Sequence, residues 1–96
     1  MFVLITYDVN VTSADGAKRL RSVARACTDH GTRVQASVFE CVLTEAQYVV
    51  LKRRLESMID ARHDSIRFYL LGNNWQRRIE TLGKDFGINF TGELIV

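Results

Sequence analysis

The stretch "VLITYDV" ends an apolar run on a carboxylate, Asp8, although everything from Phe2 to Ile5 reads as buried. At the end of a central strand, an aspartate has two uses. It closes a turn by bonding the backbone of Val9 to Val11, or it offers oxygens to a divalent cation. One carboxylate holds magnesium poorly, because the ion keeps several waters and usually takes one or two carboxylates together with phosphate oxygens. A twofold axis close to the strand end would bring a second Asp8 to the same place. The chemistry expected of that pair, loaded with Mg²⁺ or Mn²⁺, is metal-dependent hydrolysis of a phosphodiester. Arg33 or Arg19 would balance charge on the phosphate, leaving a 5′-phosphate and a 3′-hydroxyl. Like charges held close raise one of the two pKa values, so activity is expected to depend on both pH and metal.

A second group of residues suits the same substrate. Net charge is only +2, but ten of the thirteen basic residues are arginine, whose planar fork fits phosphate oxygens. Lys18, Arg19, Arg21, Arg25 and Arg33 fall in one stretch that carries a single acid, Asp29. They are either a solvated helix face or a stripe that tracks phosphates, giving affinity and salt dependence without base specificity. Phe39 is a core candidate or a platform on which a base stacks. Ser37 has no histidine near it in sequence to act as a base.

These residues need elements to position them. Phe2 to Val9 is apolar at both parities, the pattern of a central strand covered on both faces. The loop "NVTSADG" follows, then a helix from about Asp15 to Asp29 with Ala17, Leu20, Val23, Ala24 and Cys27 inward and Gly31 as its stop. "TRVQASVFECVLT" predicts one long strand, or two joined by a turn or bulge near Ala36 and Ser37. Thr44 with Gln47 forms a capping box opening a helix to about Ala61, with Tyr48, Leu51, Leu55, Met58 and Ile59 inward. "DSIRFYLLG" predicts a further strand. The order is that of the ferredoxin-like βαββαβ, an α+β sandwich with both helices on one sheet face. The other face needs a cover, and a second copy of the chain is the simplest source. Residues 73–96 form a C-terminal segment, expected to hold a short strand near Gln76 to Glu80 and a terminal strand near Leu94 that pairs with the partner subunit.

Composition narrows the class. Ninety-six residues, 47% apolar and 25% charged, make one ordinary globular domain over 1–96. No run approaches the roughly 20 apolar residues of a membrane span, and "MFVLITYDV" lacks the features of a signal peptide, so a cytoplasmic location is expected. Cys27 and Cys41 read as small buried hydrophobes rather than zinc ligands, and His30 and His63 as surface residues. Walker, Rossmann and H-E-x-x-H signatures are absent, and "RVQASVFE" does not fit the strand of an RNA-recognition module.

Taken together, "VLITYDV", "KRLRSVARAC", "GTRVQASVFEC" and "SIRFYLLG" resemble the small CRISPR-associated adaptation protein family, Cas two, from the first strand through Gly72. The resemblance implies a ferredoxin-like homodimer in which one aspartate per subunit, here Asp8, shares a divalent metal across the twofold axis. It implies endonuclease activity on single-stranded RNA or double-stranded DNA. The family's other function-linked positions fall on Tyr7, Arg19, Arg21, Arg33, Ser37 and Phe39, with Tyr7 and Ser37 on the catalytic side. The biological role it implies is spacer acquisition in antiviral defence, as the bridge between two dimers of the integrase subunit, Cas one. In that role the chain could serve as a non-catalytic DNA-binding adaptor.

Overall fold

The computed structural model of the chain describes residues 1–84. Strand β1 (Phe2–Asp8) leads into helix α1 (Gly16–Thr28), then β2 (Thr32–Gln35), β3 (Val38–Val42), helix α2 (Glu45–Met58) and β4 (Ser65–Gly72). The four strands form one antiparallel sheet in the order β2-β3-β1-β4, so the first strand is central. This is the α+β arrangement that the order of elements predicts.

The long extended stretch resolves into two strands, with Ala36 and Ser37 as the tight turn between them. The capping box forms: the Gln47 N–H donates to Thr44 Oγ1 at 3.1 Å, and the Thr44 N–H donates to Gln47 Oε1 at 2.9 Å. Helix α2 stops at Met58, three residues before the expected end, because Asp64 and Asp60 build a competing turn. The Asp60 N–H donates to Asp64 Oδ2 at 2.9 Å, and the N–H groups of His63 and Asp64 both donate to the Asp60 carbonyl. Gly31 follows α1 for a reason other than backbone handedness. A Cβ at Gly31 would lie 2.5 Å from the Glu40 carbonyl oxygen and collide with Cys41 Sγ, so glycine lets the chain cross close over β3.

The core lies between the sheet and both helices. Val3, Ile5 and Tyr7 of β1, with Phe39 and Cys41 of β3, meet Val23, Ala26 and Cys27 of α1 and Leu51 and Leu55 of α2. Ala26 takes the place in the inward stripe that the periodicity assigned to Ala17, which is exposed. On the other face, strand alternation puts Phe2, Leu4, Thr6 and Asp8 of β1 beside Val38, Glu40 and Val42 of β3 and Arg67 and Tyr69 of β4. Phe2 at one end is covered by Trp75, their ring centroids 4.9 Å apart. Trp75 sits in a single 3-10 turn, Trp75–Arg77, which replaces the strand expected near Gln76 to Glu80. The terminal strand expected near Leu94 lies outside the described residues. Among the described residues, Val42 and Tyr69 on this face are 47% and 44% exposed. No helix among the described residues is long and apolar enough to cross a membrane.

Candidate functional site

Asp8 is the last residue of β1 and is exposed, as its place at the edge of the uncovered face requires. It pairs across the ladder with Ser65, the first residue of β4. On the other flank stands the Ala36–Ser37 turn, whose Ser37 carbonyl accepts the Tyr7 N–H at 3.1 Å. Ser37 therefore lies at the same end of the sheet as Asp8, where its backbone carbonyl, rather than its hydroxyl, makes the bond to Tyr7.

Tyr7 points to the opposite side of the strand. It is 6% exposed, lies 6.0 Å from Phe39 between ring centroids, and donates its hydroxyl to the Ala36 carbonyl at 3.3 Å. Burial raises its pKa, a rise that the nearby Arg33 charge opposes. Phe39 is fully buried, so a stacking platform for a base is closed. Instead it carries the exposed Arg33, whose guanidinium carbon stands 5.1 Å from the ring centroid. The family resemblance grouped Tyr7 with Asp8 on the catalytic side; the pleat turns their side chains to opposite faces.

The basic residues also divide. Lys18, Arg21 and Arg25 are exposed and, with Ser22, line one groove of about 500 Å³ along α1. Their spacing of three and four residues keeps them on one helix face. Arg19 faces elsewhere. Its Nε donates to Asp64 Oδ2 at 2.8 Å, and the Asp64 side chain is fully shielded from solvent. Further donors of Arg19 reach Ser13 Oγ at 2.6 Å and the Ala14 carbonyl. A guanidinium so engaged is not a free phosphate contact, which corrects the assignment of Arg19 to the stripe.

Asp64 went unnoticed in the sequence, where it opens the stretch "DSIRFYLLG" predicted as a strand. Its carboxylate accepts from Arg19 and from the N–H groups of Asp60 and Asn10. These bonds, with Arg19 foremost, hold its pKa down at about 2 against the burial that would raise it. No local signal pairs it with Arg19, 45 positions away.

Among the described residues, no group of three or more His, Cys, Asp or Glu side chains is placed to hold a metal. Burial pushes the Cys27 and Cys41 thiols up to about 12 and about 11, so they remain protonated at neutral pH and act as hydrophobes. The oxygen donors of Asp8 suit a hard cation such as Mg²⁺.

The chain matches the family described as CRISPR associated protein Cas2 over residues 1–79. It is 50% identical to the CRISPR-associated endoribonuclease Cas2 3 of Rhodospirillum rubrum, over 98% of this chain and 99% of that protein. It is 50% identical to the CRISPR-associated endonuclease Cas2 of Halalkalibacterium halodurans, over 99% of both. Its fold superposes on the crystal structure of Streptococcus pyogenes Cas2 at pH 6.5 with a TM-score of 0.74 and 63% identity, covering 86% of this chain and all of that one. With sequence and backbone agreeing over so much of its length, the chain belongs to the CRISPR-associated Cas2 family.

Proposed function

We propose that this chain is a nuclease subunit of a CRISPR system that works as a twofold dimer, two Asp8 carboxylates sharing one Mg²⁺ or Mn²⁺. The observation that carries the reading is the place of Asp8, exposed at the last rung of the central strand on the sheet face opposite α1 and α2. A second copy laid on that face buries Val42 and Tyr69 and brings a second Asp8 toward the first. The names of the relatives, endoribonuclease and endonuclease, support a phosphodiester substrate.

Each residue then has a task. The Asp8 pair supplies hard oxygen ligands. When bound, the ion polarises a phosphoryl oxygen and makes water a nucleophile near neutral pH. Lys18, Arg21 and Arg25 draw the strand along α1 by its phosphates, and Arg33, braced on Phe39, balances charge at the substrate. Such contacts do not discriminate bases, in keeping with double-stranded DNA or single-stranded RNA as substrate. The reading places the protein in the cytoplasm.

The deciding experiment replaces Asp8 with Ala and follows cleavage of duplex DNA and single-stranded RNA, with and without EDTA. Loss of chelator-sensitive cutting, with nucleic-acid binding kept, supports the reading. Cutting at the wild-type rate removes Asp8 from the mechanism.

A second reading has its own observation. Lys18, Arg21 and Arg25 stand together on one exposed helix surface of a single chain, whereas no metal-holding group of acidic, His or Cys side chains is present among the described residues. A non-catalytic adaptor that holds DNA and bridges integrase (Cas one) dimers during spacer acquisition needs only the groove and the dimer. It expects Asp8→Ala to leave spacer acquisition intact and charge reversal at Lys18 and Arg21 to abolish it.

A further inference from the structure

The Asp64 carboxylate is shielded from water, and a buried charge persists only where partners match it. Its partners come from three separate segments. The Asn10 N–H, at 3.0 Å, belongs to the loop after β1, two residues beyond Asp8. The Asp60 N–H, at 2.9 Å, belongs to the turn that ends α2. Arg19, on α1, contributes Nε at 2.8 Å and Nη2 at 3.3 Å.

The same guanidinium holds the loop between β1 and α1 from within. It donates to Ser13 Oγ, to the Ala14 carbonyl and, at 3.5 Å, to the Asn10 carbonyl. Two independent features show how tightly this loop is drawn in. A Cβ on Gly16 would collide with the Asn10 carbonyl oxygen and lie 2.7 Å from Val11 Cα. Asp15 is held in the left-handed region at φ 59°, where a residue with a side chain stays only if its surroundings fix it. Across the ladder, Ser65 faces Asp8 and directly follows Asp64. Asp8 is thus flanked along the chain by Asn10, whose N–H is bonded to the Asp64 carboxylate, and across the sheet by Ser65, the chain neighbour of Asp64.

We propose that Arg19 and Asp64 form a clasp that fixes the direction of the Asp8 carboxylate, so that Arg19 serves the reaction as a positioning residue and not as a phosphate contact. This rests on the reading that Asp8 holds the ion. Outer contacts that orient a metal ligand change metal affinity by about 10- to 100-fold when removed.

The test uses the full-length protein and the variants Arg19→Met, Asp64→Asn, their double, Arg19→Lys and Ser13→Ala, with Asp8→Ala as reference. Two quantities are measured on each: Mn²⁺ binding followed by electron paramagnetic resonance, and the salt dependence of duplex-DNA affinity without metal. The clasp expects Arg19→Met and Asp64→Asn to weaken Mn²⁺ binding equally, by about 10-fold or more. The double variant should be no worse than either single, and the slope of DNA affinity against salt should stay at the wild-type value. Arg19→Lys keeps the charge but not the fork, so it should fall between wild type and Arg19→Met, and Ser13→Ala should show a smaller loss. A reduced salt slope in Arg19→Met, with Mn²⁺ affinity unchanged there and in Asp64→Asn, would return Arg19 to the phosphate and overturn the clasp. Should Asp64→Asn fail to fold, wild-type Mn²⁺ affinity in both Arg19→Lys and Ser13→Ala overturns it equally. If Asp8→Ala abolishes Mn²⁺ binding while the clasp variants bind normally, the clasp alone fails. If Asp8→Ala binds Mn²⁺ as wild type does, the Asp8 reading fails and the clasp falls with it.

Discussion

The two faces of the sheet are made from the same strands and end in opposite conditions. On the helix side, Val3, Ile5, Phe39 and Cys41 are fully buried against α1 and α2, so the chain completes that face itself. On the other side, among the described residues, Phe2 is capped by Trp75, and Val42 and Tyr69 are about half exposed. Asp8 belongs to this second side and Tyr7, its neighbour, to the first. The helix-covered face holds the core, and the proposed chemistry lies on the other one. Substitutions on the two faces should separate stability from activity.

The largest effect is expected on the open face. Asp8→Ala should lower metal-dependent cutting on the order of 100-fold or more, since the ion contributes several kcal/mol to charge stabilisation. Its urea midpoint should stay near wild type, because an exposed strand-end carboxylate buries nothing. A large drop in midpoint would blur the division between the faces. On the closed face, Phe39→Ala should cost about 3–5 kcal/mol and Leu55→Ala about 2–5 kcal/mol in urea unfolding. Phe39→Ala also frees Arg33 from its ring, so any folded fraction should bind nucleic acid with altered salt dependence.

Next comes the open face as an interface. Val42→Arg together with Tyr69→Arg places charge on the surface expected to meet a second copy. Light scattering should then find monomers, still folded and no longer cutting. A dimer that survives both changes would put the twofold contact elsewhere. Charge removal at Lys18 and Arg21 should flatten the dependence of log affinity on log salt by about 0.9 for each duplex-DNA phosphate that is no longer neutralised. Stability should scarcely change.

The smallest effect concerns acid. The Asp64 pKa falls from an ordinary 3.8 to about 2 in the fold, so its ionised form contributes stability above the ordinary value. That contribution is lost as pH drops from 3.8 toward 2. The stability gap between wild type and Asp64→Asn should narrow over this interval and stay constant at higher pH. A constant gap throughout would mean that the carboxylate charge does not stabilise the fold.

Most of the fold was legible because its signals are local. Alternation and apolar runs locate β1, β3 and β4; the Thr44–Gln47 pair opens α2; and helical spacing brings Lys18, Arg21 and Arg25 to one side of α1. The candidate site was legible only in part. Asp8 and the exposed stripe stand where their positions suggest. Phe39 takes the core place that the sequence offered for it, whereas Tyr7 turns inward because successive residues of a strand point to opposite faces and no composition rule says which face a helix will cover. The early end of α2 and the 3-10 turn at Trp75 escaped for a related reason. The turn at Trp75 is settled by a distant partner, Phe2, and the end of α2 by an Asp60–Asp64 turn whose carboxylate is fixed from afar by Arg19.

From its order of residues alone, the chain determined its strands and helices, its βαββαβ succession and a carboxylate at the end of a central strand, all set by interactions over a few positions. The tertiary structure alone decided that Arg19 is tied to Asp64 and that Phe39 braces Arg33. It also decided that Asp8 opens onto the face opposite α1 and α2. The physical reason is range: a buried charge selects its partner by closeness in space, and a separation of 45 positions leaves no trace of that choice in the sequence.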